Sequence, residues 1–197
     1  RQLTGLSKLI ADWALPVDRD KGAAGTAASW WLRLKYWRAD LLVFRKMRAR
    51  LGGRLRLMIA GGAAFPKYLG EFYQGLGLTV YEGYGMTETA PVIAVNTVTA
   101  NKFGTVGHVV PGVEVRIADD GEIQTRSACV MKGYWRRPDD TRQVLSEDGW
   151  LSTGDIGCFD EEGFLKITDR KKDIIITSGG KNIAPQPIEN KFLRHDA

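Results

Sequence analysis

The chain has 197 residues, of which 44% are hydrophobic and 26% charged, and it carries a formal net charge of +5. This composition is ordinary for a globular protein, and no apolar run approaches the roughly 20 residues that a membrane-spanning helix needs. Cys129 and Cys158 lie far apart in the sequence and only two histidines accompany them, which argues against a structural zinc site. Two isolated cysteines are typical of a reducing cytoplasm, and this is the predicted location.

Residues 26–50 are predicted to form a helix that is both basic and rich in aromatic residues. Five apolar residues recur at spacings of four and three, which places them on one face: Trp30, Leu34, Trp37, Leu41 and Phe44. We expect this stripe to pack on a core while the basic residues face solvent. Peripheral contact with an anionic membrane is the alternative left open for this helix. Nucleic-acid binding is not predicted, because no recognition motif accompanies the charge.

The next segment predicts an α/β unit. Residues 55–60 read as a buried strand that ends at two glycines, Pro66 can open a helix that reaches about Gly75, and residues 78–81 read as the next strand. Strand, helix and strand in this order are typical of α/β folds, in which ligands bind at the carboxyl ends of the strands. Glycine-rich loops follow both predicted strands, so a ligand site is expected there.

After about residue 98 the pattern changes to short alternating strands separated by turns. Residues 113–117 and 122–126 flank an Asp-Asp-Gly turn, and residues 155–159 and 164–168 flank a second turn. We therefore predict a small, mostly antiparallel β subdomain over residues 98–168.

Three motifs carry residues suited to a nucleotide. The loop at residues 82–89 presents the ring of Tyr84, the hydroxyl of Thr87 and the carboxylate of Glu88, which suit a base, a phosphate oxygen and the Mg²⁺ that accompanies phosphates. Asp155 follows a glycine and could accept hydrogen bonds from a vicinal diol such as that of ribose. Arg170, in a charged turn, could donate to ribose or phosphate oxygens. Taken singly, each motif also fits an ordinary turn.

In this order, and over roughly residues 54–190, the motifs resemble those of the acyl-adenylate-forming enzymes. The resemblance implies an adenine pocket that is built from two loops. The loop residues that it assigns to nucleotide binding are Gly61, Gly62 and Ala63 in the first loop and Gly83, Tyr84 and Gly85 in the second. Within this set, Tyr84 is expected to lie against the base.

The same resemblance assigns roles in the chemistry. It implies that Thr87 contacts the α-phosphate, that Glu88 binds Mg²⁺ and that Asp155 and Arg170 hold the ribose. Lys172 falls where the family has its interdomain hinge. The resemblance therefore makes Thr87, Glu88 and Lys172 the candidate catalytic residues.

The resemblance also implies a division of the chain. Residues 1–97 would be part of the α/β subdomain of an adenylation domain, followed by the β subdomain at 98–168. Residues 169–173 would form the hinge and residues 174–197 the start of an α+β C-terminal domain. The family's phosphate loop and C-terminal lysine are not found in this sequence. We therefore expect an internal fragment that is inactive by itself.

Residues 178–189 resemble the long-chain fatty acyl-CoA synthetases most. This implies ATP, Mg²⁺ and coenzyme A as cofactor and co-substrates, a fatty acid as the substrate, and small molecules as the main partners, with a homodimer left open. The alternatives are a fatty acyl-AMP ligase, another acid–CoA ligase, or a non-catalytic remnant that only binds nucleotide.

Overall fold

The computed structural model describes residues 29–63 and 65–171, together with the backbones of two short strands, Ile175–Ile176 and Asn182–Ile183. These two strands pair antiparallel. The predictions made for residues 26–28, for Lys172 and for most of 174–197 lie outside the described residues. The chain forms two compact units, one of residues 1–59 and 65–80 and one of residues 60–64 and 81–197, and each is described by itself.

The first unit begins with the predicted helix. Helix α1 (Trp30–Ala39) runs through a π-helical turn (Asp40–Phe44) into helix α2 (Arg45–Arg50). The side chain of Ser29 caps the start by accepting a hydrogen bond from the backbone N–H of Leu32. The helix is therefore confirmed from residue 30 onward. No helix among the described residues has the length and apolar character needed to cross a membrane.

The predicted packing face of this helix is wrong. Trp30, Trp37 and Leu41 are 63%, 60% and 45% exposed, whereas Ala39 and Phe44 are fully buried. Of the predicted stripe, only Phe44 joins the core of this unit. The π turn inserts an extra residue and so rotates everything after Asp40 relative to a regular helix. A stripe drawn with regular α-helical spacing across residues 30–44 cannot stay on one face.

Strand β1 (Leu57–Ala60), helix α3 (Lys67–Gly75) and strand β2 (Thr79–Gly85) follow, and the predicted α/β class is confirmed. The prediction that β1 is buried is wrong, since Leu57 is 45% and Ile59 is 74% exposed. β1 is an edge strand in a sheet of order β1-β2-β3-β4. An unbroken apolar run predicts burial on both faces, but here exposure alternates along the strand.

Long-range hydrogen bonds join α1 and α2 to the end of helix α3 within the first unit. Arg48 donates to the carbonyl of Leu76 at 2.6 Å and pairs with Asp40 at 2.7 Å. The hydroxyl of Tyr36 donates to the carbonyl of Gly75 at 2.8 Å. The basic helix is therefore partly held through its own polar side chains.

In the second unit, β2 pairs antiparallel with β3 (Val92–Val95), and β3 pairs antiparallel with β4 (His108–Val109). Apolar residues from this sheet and from the segments beyond it share one core: Tyr84, Ile93, Ala94, Val106, Ile123 and Leu165. Burial of this set is the main apolar contribution to the stability of the unit.

The predicted antiparallel β region is confirmed. Its sheet has the order β5-β6-β7-β8, made of β5 (Val113–Ile117), β6 (Glu122–Ser127), β7 (Leu151–Phe159) and β8 (Leu165–Arg170), and every neighbouring pair is antiparallel. A short helix α4 (Pro138–Val144) lies between β6 and β7 in the sequence. Alternating residues and the Asp-Asp-Gly turn correctly predicted β5 and β6. Strands β7 and β8 were predicted in the same way, from residues that flank a second turn.

Candidate functional site

The two residues predicted to hold a ribose lie directly opposite each other on neighbouring strands. Asp155 of β7 faces Arg170 of β8 in the antiparallel register, and Arg170 Nε lies 3.3 Å from Asp155 Oδ1. The Asp155 side chain is 13% exposed and that of Arg170 is 54% exposed. A carboxylate that is mostly enclosed therefore has a cation beside it that can still reach solvent or a ligand.

Tyr84 completes this group from β2. Its hydroxyl donates to Asp155 Oδ2 at 2.7 Å, although the two residues are 71 positions apart. The ring lies in the core and only 8% of the residue is exposed. Burial raises the pKa of the Tyr84 phenol well above its ordinary value, so the hydroxyl keeps its proton and donates. We call Tyr84, Asp155 and Arg170 the carboxylate cluster.

The Asp155 carboxylate can accept further hydrogen bonds, as the binding of a diol would require. An ionised carboxylate has about four lone-pair sites. One hydrogen bond from Tyr84 and the pairing with Arg170 leave sites on both oxygens of Asp155. The ring of Tyr84, by contrast, offers little open surface to a base, so its stacking role stays a prediction while its contact with Asp155 is observed.

The part of β7 that carries Asp155 is held by contacts with β6. Thr153 Oγ1 donates to the carbonyl of Ile123 at 2.8 Å and accepts from the backbone N–H of Asp155 at 3.2 Å. The backbone N–H of Gly154 donates to Glu122 Oε1 at 2.8 Å, and Lys171 Nζ bonds the other oxygen of Glu122 at 2.8 Å. Glu122 thus links the backbone beside Asp155 to the residue that follows Arg170.

The two glycine-rich segments come together. The prediction that residues 82–85 form a loop is wrong, because strand β2 continues to Gly85. A Cβ placed on Gly61 would lie 3.2 Å from the carbonyl oxygen of Gly83. A Cβ on Gly85 would lie 1.6 Å from the carbonyl oxygen of Pro91, so only glycine fits there. Gly61, Gly62 and Ala63 are exposed, which leaves this edge accessible to a ligand.

Thr87 and Glu88 lie in a short 3₁₀ turn (Thr87–Thr89) that is separated from the end of β2 by one residue. Buried Thr89 anchors it, since its Oγ1 donates to the Met86 carbonyl at 2.9 Å and accepts from the Met86 N–H at 3.2 Å. Thr87 is exposed and Glu88 is half-buried. Among residues 29–63 and 65–171, no hydrogen bond or ion pair joins Thr87 or Glu88 to Asp155 or Arg170. The predicted site residues thus form two groups, one for each expected part of the nucleotide.

The donor set at Glu88 fits magnesium bound together with phosphates. In the part of the chain that the structure describes, no group of three or more His, Cys, Asp or Glu residues could hold a metal ion. Mg²⁺ is usually held by one or two carboxylates together with substrate phosphates, so a lone carboxylate in an accessible turn is the expected protein contribution.

Sequence reasoning missed residues that support the site. The hydroxyl of Tyr134 donates to Glu88 Oε1 at 2.9 Å, and this contact raises the pKa of the Tyr134 phenol. Glu122 and Lys171 were not recognised either. Glu122 shares the polar face of β6 with Gln124 and Arg126, so the alternating pattern does not signal its burial or its contacts. Lys172 lies outside the described residues.

A family model matches the larger part of the chain. Residues 23–135, more than half of the chain, match the model of the AMP-binding enzymes.

Individual relatives agree with this match. The chain is 48% identical over 189 residues to a long-chain fatty acid–CoA ligase of Mycobacterium bovis, covering 96% of this chain and 30% of the relative. It is 41% identical over 167 residues to the human long-chain fatty acid–CoA ligase 6, covering 79% of this chain and 24% of the relative. The chain therefore spans less than a third of the length of either of these two curated relatives.

Among solved structures, it resembles the O-succinylbenzoate coenzyme A synthetase of Bacillus subtilis, determined in complex with ATP and magnesium ion. The TM-score is 0.65 at 34% identity, with 78% of this chain and 36% of that chain covered. The expected fold is thereby confirmed. On the extent of the family match, the chain belongs to the AMP-binding enzymes, the acyl-adenylate-forming family that its loops resemble.

Proposed function

We propose that the full-length gene product is an ATP-dependent long-chain fatty acid–CoA ligase. The observation that carries the nucleotide part of this proposal is the carboxylate cluster, in which Tyr84 and Arg170, from two different strands, meet at the carboxylate of Asp155. The choice of a long-chain acid is supported by the 48% identity with a ligase of that name.

The carboxylate cluster would bind the ribose. Asp155 would accept hydrogen bonds from the 2′ and 3′ hydroxyls while the hydroxyl of Tyr84 fixes the orientation of the carboxylate. Arg170, which is more exposed, would donate to ribose or phosphate oxygens. The Gly61–Gly62–Ala63 loop and the adjoining end of β2, Gly83–Tyr84–Gly85, would form the adenine pocket.

The turn after β2 would serve the phosphates. The exposed hydroxyl of Thr87 would contact the α-phosphate and Glu88 would hold Mg²⁺, which neutralises charge on the phosphates when it is bound. The protein's own contribution is to place the α-phosphorus in line with the substrate carboxylate and to stabilise charge.

The reaction would proceed in two halves. An oxygen of the fatty acid carboxylate attacks the α-phosphorus of ATP, the bond to the bridging oxygen breaks, and pyrophosphate leaves. The thiol of coenzyme A then loses its proton to solvent and its sulfur attacks the acyl carbonyl carbon of the acyl adenylate, and AMP leaves with the electron pair of the broken C–O bond. The mixed anhydride is needed because a free carboxylate has a poor leaving group.

A change of conformation would separate the two halves. Residues 169–173, with Lys172, would be the hinge between the part that ends with the β subdomain at 98–168 and a C-terminal part that begins at 174. Residues 1–97 would belong to the α/β part of the adenylation domain.

The experiment is product analysis of the full-length gene product with ATP, Mg²⁺ and a panel of carboxylic acids, with and without coenzyme A. The proposal predicts coenzyme A-dependent thioesters that favour long acyl chains. Acyl-AMP that accumulates in the presence of coenzyme A would favour a fatty acyl-AMP ligase instead. Absence of both products for every acid would leave only nucleotide binding.

A further inference from the structure

The segment after β6 folds back onto the turn that carries Glu88. The backbone N–H of Met131 donates to the carbonyl of Glu88 at 2.8 Å. Three residues later, the hydroxyl of Tyr134 donates to Glu88 Oε1 at 2.9 Å. One short segment therefore binds Glu88 through both its main chain and its side chain, 43 to 46 residues away along the chain.

Tyr134 is itself held from the other side. The backbone N–H of Tyr134 donates to Thr141 Oγ1 at 2.9 Å. The Thr141 hydroxyl in turn donates to the carbonyl of Arg137 at 2.9 Å. Gly133 has φ +144°, and a Cβ there would lie 2.8 Å from Thr141 Cγ2. The close approach of the segment to α4 thus requires glycine and leaves the Tyr134 backbone little freedom.

The hydrogen bond uses one oxygen of Glu88. Among residues 29–63 and 65–171, Glu88 Oε2 has no hydrogen-bond or ion-pair partner. A half-buried carboxylate with one oxygen tied and one open is restricted in rotation and presents a defined ligand atom. Metal-binding carboxylates are commonly oriented in this way by a neighbouring hydrogen-bond donor.

We propose that Tyr134 is a positioning residue that orients Glu88 so that its free oxygen, Oε2, binds the divalent cation accompanying the nucleotide. The inference rests on the proposed role of Glu88 and adds to it a residue outside the loop motifs. Tyr134 contacts neither the cation nor the nucleotide in this account and acts only through Glu88.

The test is a binding measurement on the full-length gene product. Mn²⁺ binding is followed by the EPR signal of the free ion in the presence of a non-hydrolysable ATP analogue, so that no turnover is needed. Tyr134→Phe removes the hydroxyl and keeps the ring. Loss of an orienting contact of this kind typically weakens metal binding 10–100-fold, and we expect about tenfold. Thr141→Val removes the acceptor that holds the Tyr134 backbone. This variant should also weaken Mn²⁺ binding, but by a smaller factor than Tyr134→Phe.

Two further variants make the result specific. Glu88→Gln should weaken Mn²⁺ binding at least as much, and adding Tyr134→Phe to it should change nothing more, because Tyr134 acts through Glu88. Tyr36→Phe is the matched control, since its hydroxyl donates to a main-chain carbonyl in the first unit, and its Mn²⁺ binding should match the unmodified protein.

The outcomes separate the two claims. Normal Mn²⁺ binding by Tyr134→Phe with weakened binding by Glu88→Gln would overturn the positioning role and leave the proposed function standing. Normal binding by both variants would remove Glu88 from the metal site and the inference with it. Equal additional losses in the Glu88→Gln background would show that Tyr134 acts independently of Glu88 and would likewise refute the proposal.

Discussion

Tyr84→Phe separates two roles that the tyrosine of the carboxylate cluster could have. The substitution deletes only the hydroxyl that donates to Asp155 and keeps the buried ring. If Tyr84 serves the nucleotide through Asp155, affinity for AMP and ATP should fall. If the ring face alone matters, phenylalanine should substitute without loss.

The magnitude follows from the contact. A hydrogen bond from a neutral donor to a charged acceptor contributes about 1.5–3 kcal/mol. Part of that loss is recovered because Asp155, at 13% exposure, can still pair with Arg170 and take up water. We therefore expect a loss of roughly 1.4 kcal/mol in nucleotide binding, which is about a tenfold increase in the dissociation constant.

The assay is isothermal titration of AMP into the full-length gene product and its variants. Asp155→Asn sets the scale for loss of the carboxylate and should weaken AMP binding more than Tyr84→Phe. Tyr81→Phe is the matched control on the same strand, because the Tyr81 hydroxyl has no hydrogen-bond partner within the described part of the chain. AMP affinity unchanged by Tyr84→Phe, together with a clear loss for Asp155→Asn, would refute the orienting role of Tyr84.

Three further predictions concern the stability of the fold around the site. Leu165→Ala, at a fully buried position, should lower the free energy of unfolding by about 2–5 kcal/mol in urea denaturation, whereas Val98→Ala, at 79% exposure, should change it by less than about 0.5 kcal/mol. Gly85→Ala should cost about 3 kcal/mol or more, because its Cβ would overlap the Pro91 carbonyl; a near-normal unfolding midpoint would contradict the close approach. Lys102 lowers the pKa of Asp160, so this pair stabilises above the unfolded pKa of about 3.9 and loses its effect as pH falls through the lower folded value. The stability difference between Lys102→Met and the unmodified protein should therefore shrink below about pH 4, and a difference that persists there would exclude the ion pair as its cause.

The antiparallel sheet was predictable because its information is local. Residues 113–117 alternate, the turn glycine follows two aspartates, and residues 122–126 alternate again, which fixes both strands and their register. Strand β1 shows the limit, since an apolar run does not reveal that the strand lies at a sheet edge. The predicted face of the first helix was wrong on two counts. Trp30 and Trp37 precede the π turn and are exposed, because the buried face runs through Tyr36 and Ala39. The π turn then changes the face after Asp40, which cannot be read from hydrophobic spacing.

The candidate site was likewise predictable where the information is local and not where it depends on tertiary structure. Asp155 and Arg170 were each identified from their own motif, but their facing positions depend on the register of β7 with β8, which includes an irregularity after Ile156. Tyr134 escaped notice because its contact with Glu88 depends on how a loop folds back over 46 residues. Local patterns therefore indicated the candidate residues, and the long-range pairing of strands and loops determined which of them meet.

The most direct measurement of the central claim is a crystal structure of the full-length gene product with ATP and Mg²⁺. The account predicts the ribose hydroxyls within hydrogen-bond distance of Asp155, with the Tyr84 hydroxyl still donating to the same carboxylate and the cation on Glu88. A nucleotide bound away from Asp155, or a cation bound without Glu88, would contradict it.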